Sequence, residues 1–195
     1  RGLVAGLAAV VVGWLWGRLV GWAWVSPVAY SALGESMLSL QRPEDVDVEF
    51  VRGVGWSPAR RHTHICEQAL EKQADLILIL GADQIYEPDL LCRLVDRFKE
   101  GYEVISALVP CRGFVEWQEM KPFQPMAWRF KQHDTIENVR PFRGMLPDRD
   151  MLELIDPKDG NVQKVNFIGS GVLMFHADHL RAVKKPWFYG RVHAE

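Results

Sequence analysis

A single carboxylate, Asp83, stands where a buried strand is predicted to end. The apolar run 76–80 (Leu-Ile-Leu-Ile-Leu) is followed by Gly-Ala-Asp-Gln at 81–84, and a helical pattern starts at Pro88. A short apolar run followed by an amphipathic helix is typical of a strand buried on both faces of a parallel sheet. Ligands of open α/β sheets bind at the carboxyl ends of the strands, which makes Asp83 a candidate ligand-binding group. The alternative is that Asp83 only forms a turn.

Three basic side chains, Arg60, Arg61 and His62, are predicted to lie in the first turn of a helix. The pair Ser57-Pro58 gives the start signal, with Ser as the N-cap and Pro at the first helical position. The positive end of a helix dipole favours acids, so basic residues there indicate that an anion lies nearby. A phosphate would interact with both the exposed amides and the cationic side chains. The alternative is an exposed arginine pair whose small energetic penalty is tolerated.

Helical and extended patterns alternate along the chain, which favours an α/β fold. Predicted helices start at residues 26, 57 and 88, one or two helical turns cover 178–183, and predicted strands lie near 18–21 and at 48–51, 76–80, 104–109, 165–168 and 172–175. The succession of strand, helix and strand from 76 to 109 predicts a right-handed parallel crossover.

The region 110–164 lacks a regular pattern and is rich in proline, arginine and aromatic residues. Loops of this length in a compact domain are functional or disordered, and the aromatic residues are too frequent for disorder. We therefore expect an ordered flap with short strands over a site. The tripeptide Gly169-Ser170-Gly171 follows it and would let a ligand or another chain come close to the backbone; the alternative is a bulge or tight bend inside a strand pair.

Composition bounds the class of protein. With 195 residues, 48% of them hydrophobic, the chain is expected to form a single domain over residues 1–195. The net charge of −2 and the scattered basic residues do not form the footprint of a nucleic-acid-binding protein. The three cysteines are too widely spaced for a disulfide framework or a zinc motif, which indicates a reducing, cytoplasmic compartment. No stop signal follows residue 186, so we expect the domain to continue beyond Glu195.

The first 25 residues are unusually apolar, with Arg18 as the only charge from residue 2 to residue 25. About 20 apolar residues suffice to cross a bilayer, but several glycines and the position of Arg18 argue against a membrane helix. We expect buried segments that end in a first core strand near 18–21, and the role of residues 1–17 stays open. The alternative is membrane association through residues 2–25, as an anchor or an interfacial helix.

Taken in order, these segments resemble a nucleotide-sugar glycosyltransferase of the GT-A fold, most like the family 2 type of bacteria and phages. The resemblance spans about residues 18–195 and is carried by Ser-Pro-Ala-Arg-Arg at 57–61, Gly-Ala-Asp-Gln at 81–84 with Pro-Asp-Leu-Leu at 88–91, Phe-Ile-Gly-Ser-Gly-Val-Leu-Met at 167–174 and Pro-Trp-Phe at 186–188. It implies a GT-A-like (Rossmann-like), mostly parallel sheet flanked by helices, with a long loop-rich insertion. It also implies sugar transfer from a nucleoside diphosphate sugar to a glycan, lipid or protein acceptor.

The resemblance also implies a metal site at Asp83. In that family an Asp-x-Asp motif holds a divalent metal against the donor diphosphate, and here Gly81 takes the place of the first acid. Asp83 would bind Mn²⁺ or Mg²⁺ together with phosphate oxygens, because Mg²⁺ relies on few protein ligands. The cation would stabilise the departing nucleoside diphosphate.

Further roles follow from the same resemblance. Arg60, Arg61 and His62 would contact the donor phosphates or ribose, with Gln84 beside Asp83. Gly169, Ser170 and Gly171 would lie beside the transferred sugar, and Trp187 on the approach of the acceptor. The acceptor proton would go to Glu195 or to His193, and His193 could instead be a third metal ligand.

Two other functions are alternatives to sugar transfer. A nucleotidyltransferase would need a glycine-rich basic loop after the first strand, which residues 21–27 do not offer. A catalytically inactive nucleotide-sugar-binding module is favoured by Gly81 in place of the first acid.

Overall fold

The protein is organised as two units, each built around its own sheet. The computed structural model describes residues 7–12, 18–19, 31–55, 57–81, 84–109, 127–131, 152–155 and 162–188. One unit contains residues 1–107 and 170–195, and the other contains residues 108–169.

Nine strands and four helices are found among the described residues. In chain order they are β1 (Leu7–Val12), β2 (Arg18–Leu19), α1 (Ser31–Ser39), β3 (Asp47–Arg52), α2 (Pro58–Glu71), β4 (Leu76–Gly81), α3 (Leu90–Lys99), β5 (Val104–Ile105), β6 (Ala127–Phe130), β7 (Leu152–Leu154), β8 (Phe167–Ile168), β9 (Val172–His176) and α4 (Ala177–Ala182).

The larger unit has a six-stranded mixed sheet in the order β2-β3-β1-β4-β9-β5. β1 pairs antiparallel with β3 and β4, and β9 pairs antiparallel with β4 and β5. Only β2 and β3 form a parallel pair in this sheet as described. The prediction of a mostly parallel, GT-A-like (Rossmann-like) sheet is therefore wrong. An apolar run is buried equally well between antiparallel neighbours, so the sequence of β4 could not distinguish the two arrangements.

The predicted parallel crossover from β4 through α3 to β5 is also wrong as a direct pairing. β9 lies between β4 and β5 and is antiparallel to both. β4 and β5 consequently run in the same direction without being hydrogen-bonded to each other. Every residue of β4 is buried, so this strand forms the centre of the core.

Two helices match their sequence predictions closely. Ser57 is the N-cap of α2, where its Oγ accepts a hydrogen bond from the Arg60 amide at 3.3 Å, and Pro58 is the first helical residue. The predicted apolar face of α3 is confirmed, because Leu91, Leu94, Val95 and Phe98 are all buried. Gly101 follows α3 with a φ of 97°, a left-handed conformation that glycine adopts without strain.

The apolar amino-terminal region supplies β1 and β2 to the sheet. β1 occupies a central position between β3 and β4. The described part of α1 begins at Ser31, and the start predicted at Ser26-Pro27 lies outside the described residues. None of the helices in the described ranges has the length and apolar character needed to cross a membrane.

The smaller unit has a three-stranded antiparallel sheet in the order β7-β6-β8. Phe130 and Phe167 pack edge to face across β6 and β8, with ring centroids 5.4 Å apart. Short strands were expected in this region, and β6 and β7 fall within it; most of the predicted flap 110–164 lies outside the described residues.

Candidate functional site

The ends of five strands lie in a row along one side of the six-stranded sheet, across the strand direction. Leu7 of β1 lies opposite Gly81 at the end of β4. Ala8 of β1 lies opposite Arg52 at the end of β3. Because β9 is antiparallel to β4 and β5, its first residue lies at this edge as well. We call this edge, where β3, β4 and β5 end and β1 and β9 begin, the candidate edge.

Gly81 connects two segments that were predicted from the sequence to bind the donor. Its amide donates a hydrogen bond to the Gly171 carbonyl at 2.7 Å. Its carbonyl accepts a hydrogen bond from the Tyr86 hydroxyl. The segment predicted to carry the metal ligand and the segment predicted to lie beside the sugar therefore meet through their backbones. Asp83 lies outside the described residues.

A buried hydroxyl anchors the chain where it leaves this edge. Ser36 on α1 accepts a hydrogen bond from the Tyr86 amide at 2.6 Å and donates one to the Tyr86 carbonyl at 3.0 Å. Both side chains are buried, at 6% and 5% exposure. The hydroxyl thus satisfies both backbone polar groups of Tyr86, which would otherwise be costly to bury.

The basic turn of α2 divides into an exposed and a buried arginine. Arg60 is exposed to solvent, whereas Arg61 is buried at 7% exposure. The Nε of Arg61 donates a hydrogen bond to the Gly55 carbonyl at 2.7 Å. This bond ties α2 to the loop that follows β3. Arg60 is thus the arginine of this turn that presents its charge to solvent.

His62 is buried against an aromatic ring near the other end of the chain. Its ring centroid lies 4.9 Å from that of Phe188. Burial lowers the pKa of His62 from 6.5 to about 4, because a charged imidazole would lose its hydration there. Its Nε2 has no hydrogen-bond partner within the described part of the chain. At neutral pH His62 is therefore uncharged and adds no positive charge for a phosphate.

The remaining predicted residues lie at several places. Gln84 is half-buried next to the candidate edge in the chain, and Ser170 and Gly171 are half-buried just before β9. Gly169 belongs to the smaller unit. His193 and Glu195 lie outside the described residues.

Trp187 is fixed against the end of α4. Its indole nitrogen donates hydrogen bonds to the carbonyls of Leu180 at 3.1 Å and Val183 at 3.0 Å. The ammonium of Lys185 lies 4.7 Å from the centroid of its ring. These contacts hold the indole on α4, so the neighbouring Phe188, rather than Trp187, reaches the first turns of α2.

The described residues alone do not supply a metal centre. Within the ranges given above, no group of three His, Cys, Asp or Glu side chains is arranged to hold a metal ion. Asp83, the residue expected to bind Mn²⁺ or Mg²⁺, lies outside those ranges.

Comparisons with protein-family models, with curated proteins and with solved structures found no match.

Sequence reasoning missed Ser36, Tyr86 and the two glycines at 53 and 55. The Gly-x-Gly spacing just before Ser57-Pro58 was a usable signal, because glycines between a strand and a helix indicate a close approach of backbones. The Ser36–Tyr86 contact joins residues 50 positions apart, and no local pattern announces such a pair.

Proposed function

We propose that the chain binds a nucleoside diphosphate sugar at the candidate edge and transfers the sugar to an acceptor. The observation that carries this proposal is the hydrogen bond between the Gly81 amide and the Gly171 carbonyl. It joins the two glycine-containing segments whose order along the chain resembles that of nucleotide-sugar glycosyltransferases. The likeness lies in these motifs and not in the sheet, which is not the mostly parallel one that the resemblance implied.

Electrostatics support a diphosphate at this edge. α2 starts directly after the loop that follows β3, so its positive dipole end lies beside the carboxyl end of that strand. Arg60 in its first turn is exposed and permanently charged. A positive helix end with a guanidinium beside it recurs in phosphate-binding sites. The three widely spaced cysteines favour a cytoplasmic setting for this reaction.

In the reaction, the bond between the anomeric carbon of the sugar and the diphosphate oxygen breaks, and the acceptor hydroxyl oxygen forms a new bond to that carbon. The electron pair leaves with the nucleoside diphosphate, and the acceptor proton passes to a base. Glu195 and His193 are the candidates for this base. Mn²⁺ or Mg²⁺ bound through Asp83 would supply positive charge to the leaving group.

A second candidate function is nucleotide-sugar binding without transfer. It is favoured by Gly81, which stands where the resemblance places the first metal-binding acid. The two functions differ in whether bound donor is consumed.

We expect Asp83→Ala to lower donor turnover on the order of a hundredfold, because it would remove the carboxylate proposed to hold the cation that stabilises the leaving group. Release of nucleoside diphosphate from UDP- and GDP-sugars with Mn²⁺ measures turnover, and the ligand-induced rise in melting temperature measures binding. The control is Asp96→Ala, an exposed carboxylate on α3. Normal turnover in Asp83→Ala contradicts the proposal. Donor binding without release of diphosphate in the wild type supports the second candidate.

A further inference from the structure

A short segment after α4 crosses to the first turns of α2. We call residues 185–188 (Lys-Pro-Trp-Phe) the strap. Trp187 is hydrogen-bonded to two carbonyls at the end of α4. Lys185 donates a hydrogen bond to Glu67 of α2 at 2.7 Å, and Phe188 lies against His62 with ring centroids 4.9 Å apart. The strap therefore bridges the two helices, with Phe188 at its α2 end.

The imidazole that Phe188 contacts is poorly prepared for a positive charge. His62 is 5% exposed, and its buried Nε2 has no hydrogen-bond partner among the described residues. A protonated imidazole carries an N–H at both nitrogens, so proton uptake would bury a charge and an unsatisfied donor together. An aromatic ring attracts a cation, but burial still lowers the pKa of His62 to about 4. The lost hydration therefore outweighs the attraction of the ring.

The charged groups around His62 on α2 and on the strap have partners of their own. Lys185 pairs with Glu67, and Arg61 is bonded to the loop that precedes α2. His64 contacts the same loop through its Nδ1. Cys66, one helical turn after His62, is neutral because burial raises the pKa of its thiol to about 12.

The other elements packed against α2 add no charge that explains the lowered pKa of His62. β1 and β4 contain no charged residue, and the charged residues at the two ends of β3 are exposed. The remaining titratable side chains of β3 and α4 lie beside partners: Glu49 and Lys72, Asp178 and Arg181, His179 and Glu103. Burial is therefore the cause of the lowered pKa.

Departure of Phe188 would remove part of this burial and let water reach the imidazole. If the uncovered imidazole regains a pKa of 6.5, it binds a proton more readily than the covered one, so acid favours the open strap. The ratio of open to closed strap then rises about twentyfold between pH 7 and pH 5, from the two pKa values.

We propose that the strap and His62 form a pH-sensitive latch, in which Phe188 sits on α2 while the imidazole is neutral and is released when His62 takes up a proton. The latch goes beyond the proposed function and does not depend on it. It is a local change, separate from unfolding of the sheet.

The pKa of His62, measured by NMR titration of its ring protons, tests the coupling. We expect about 4 in the wild type and a value higher by about 1 or more in Phe188→Ala. Coupling is reciprocal, so a tenfold change in proton affinity caused by Phe188 means a tenfold change in Phe188 docking caused by the proton. Val183→Ala, an exposed position just before the strap, is the control and should leave the value near 4. An unchanged pKa in Phe188→Ala, or a wild-type value near 6.5, overturns the latch.

Fluorine NMR of protein labelled with 4-fluorophenylalanine follows the strap itself, with the Phe188 signal assigned by its loss in Phe188→Leu. Relaxation dispersion of this signal detects a minor open form. We expect the open fraction to rise from pH 7 to pH 5 in the wild type and in Lys185→Gln, which lacks the ion pair with Glu67, but not in His62→Leu. A wild-type signal that does not depend on pH, an equal rise in His62→Leu, or loss of the rise in Lys185→Gln contradicts release by His62.

Discussion

His62 shows how burial changes what a residue can do. As a sequence feature it extended a basic turn, but in the folded protein it lies against Phe188 with a pKa of about 4. The basic residues were identified from their positions along a helix, and that pattern does not tell which side chains face the core. The same turn therefore contains an exposed cation, a buried cation bonded to Gly55 and a neutral imidazole.

The depressed pKa of His62 predicts a loss of stability in mild acid. The unfolded chain, with a pKa near 6.5, binds a proton more readily than the folded protein. The stabilising contribution of neutral His62 is therefore complete above pH 6.5. It falls as the pH is lowered from 6.5 towards 4, and it changes little below pH 4. The predicted loss is about 3 kcal/mol in the free energy of unfolding.

Urea unfolding between pH 7 and pH 4 measures this loss. We expect His62→Leu to flatten the pH dependence relative to the wild type, because the residue can no longer take up a proton. His64→Gln, a change to another histidine of α2, should keep the wild-type slope. Equal slopes for wild type and His62→Leu would show that this imidazole does not control acid stability.

At the scale of elements, the close packing of β3 against α2 depends on two glycines, Gly53 and Gly55, which have no side chain. A Cβ at Gly53 would lie 3.1 Å from the Arg61 carbonyl oxygen and 2.8 Å from the Cδ1 of Ile65. Gly55 has a φ of +151°, where other residues are strained, and a Cβ there would lie 2.7 Å from that of Arg60. This close approach brings the start of α2 to the candidate edge.

We expect Gly53→Ala to destabilise the protein by about 1–3 kcal/mol, because the added methyl group forces the helix and the strand end apart. The matched control is Gly34→Ala in α1, where a Cβ would have no neighbour within 4 Å. That change should stabilise the protein by about 0.5–1 kcal/mol, since alanine favours helix. Chemical denaturation of both variants provides the comparison, and an equal stability change at the two sites would disprove the close packing at the junction.

Local chemistry made some elements predictable and left others open. Ser57-Pro58 specified the start of α2, and Gly101 specified the end of α3, because caps act through neighbouring backbone groups. The strands β3 and β4 were also predicted close to their positions. The Gly81–Gly171 hydrogen bond was not predicted, because it depends on which strand lies beside β4.

At the scale of the whole molecule, strand order and direction are set by pairings between distant segments. β1 and β9 come from opposite regions of the sequence, and both are antiparallel to β4. The resemblance placed β4 in a mostly parallel sheet, and no residue of β4 itself contradicts that. This is why several elements were predictable, whereas the topology was not. The first core strand was expected near 18–21, but the central strand is β1 at 7–12, and β2 at 18–19 is the last strand on that side of the sheet.

The central place of β1 predicts that its backbone is essential. Val10 pairs with Phe50 on one side and with Leu78 on the other. We expect Val10→Pro to lower the free energy of unfolding by about 3 kcal/mol or more, because proline removes an amide donor and does not fit a central strand. Val162→Pro, at an exposed residue outside the strands, is the control.

Thermal or urea unfolding of the two proline variants measures whether the backbone of β1 is needed for stability. If Val10→Pro is as stable as the wild type, the apolar amino-terminal segment is not a sheet strand, and its alternative role in membrane association gains support.

The placement of β9 also bears on synthesis of the protein at the ribosome. One of the two neighbours of β4, β9, emerges about 90 residues after it, and β5 has β9 as its described partner. Until residues 172–176 leave the exit tunnel, one side of the apolar β4 lacks its strand partner. A chaperone or another nascent chain can bind to that side. The sheet is therefore completed only after β9 has been synthesised and has inserted between β4 and β5.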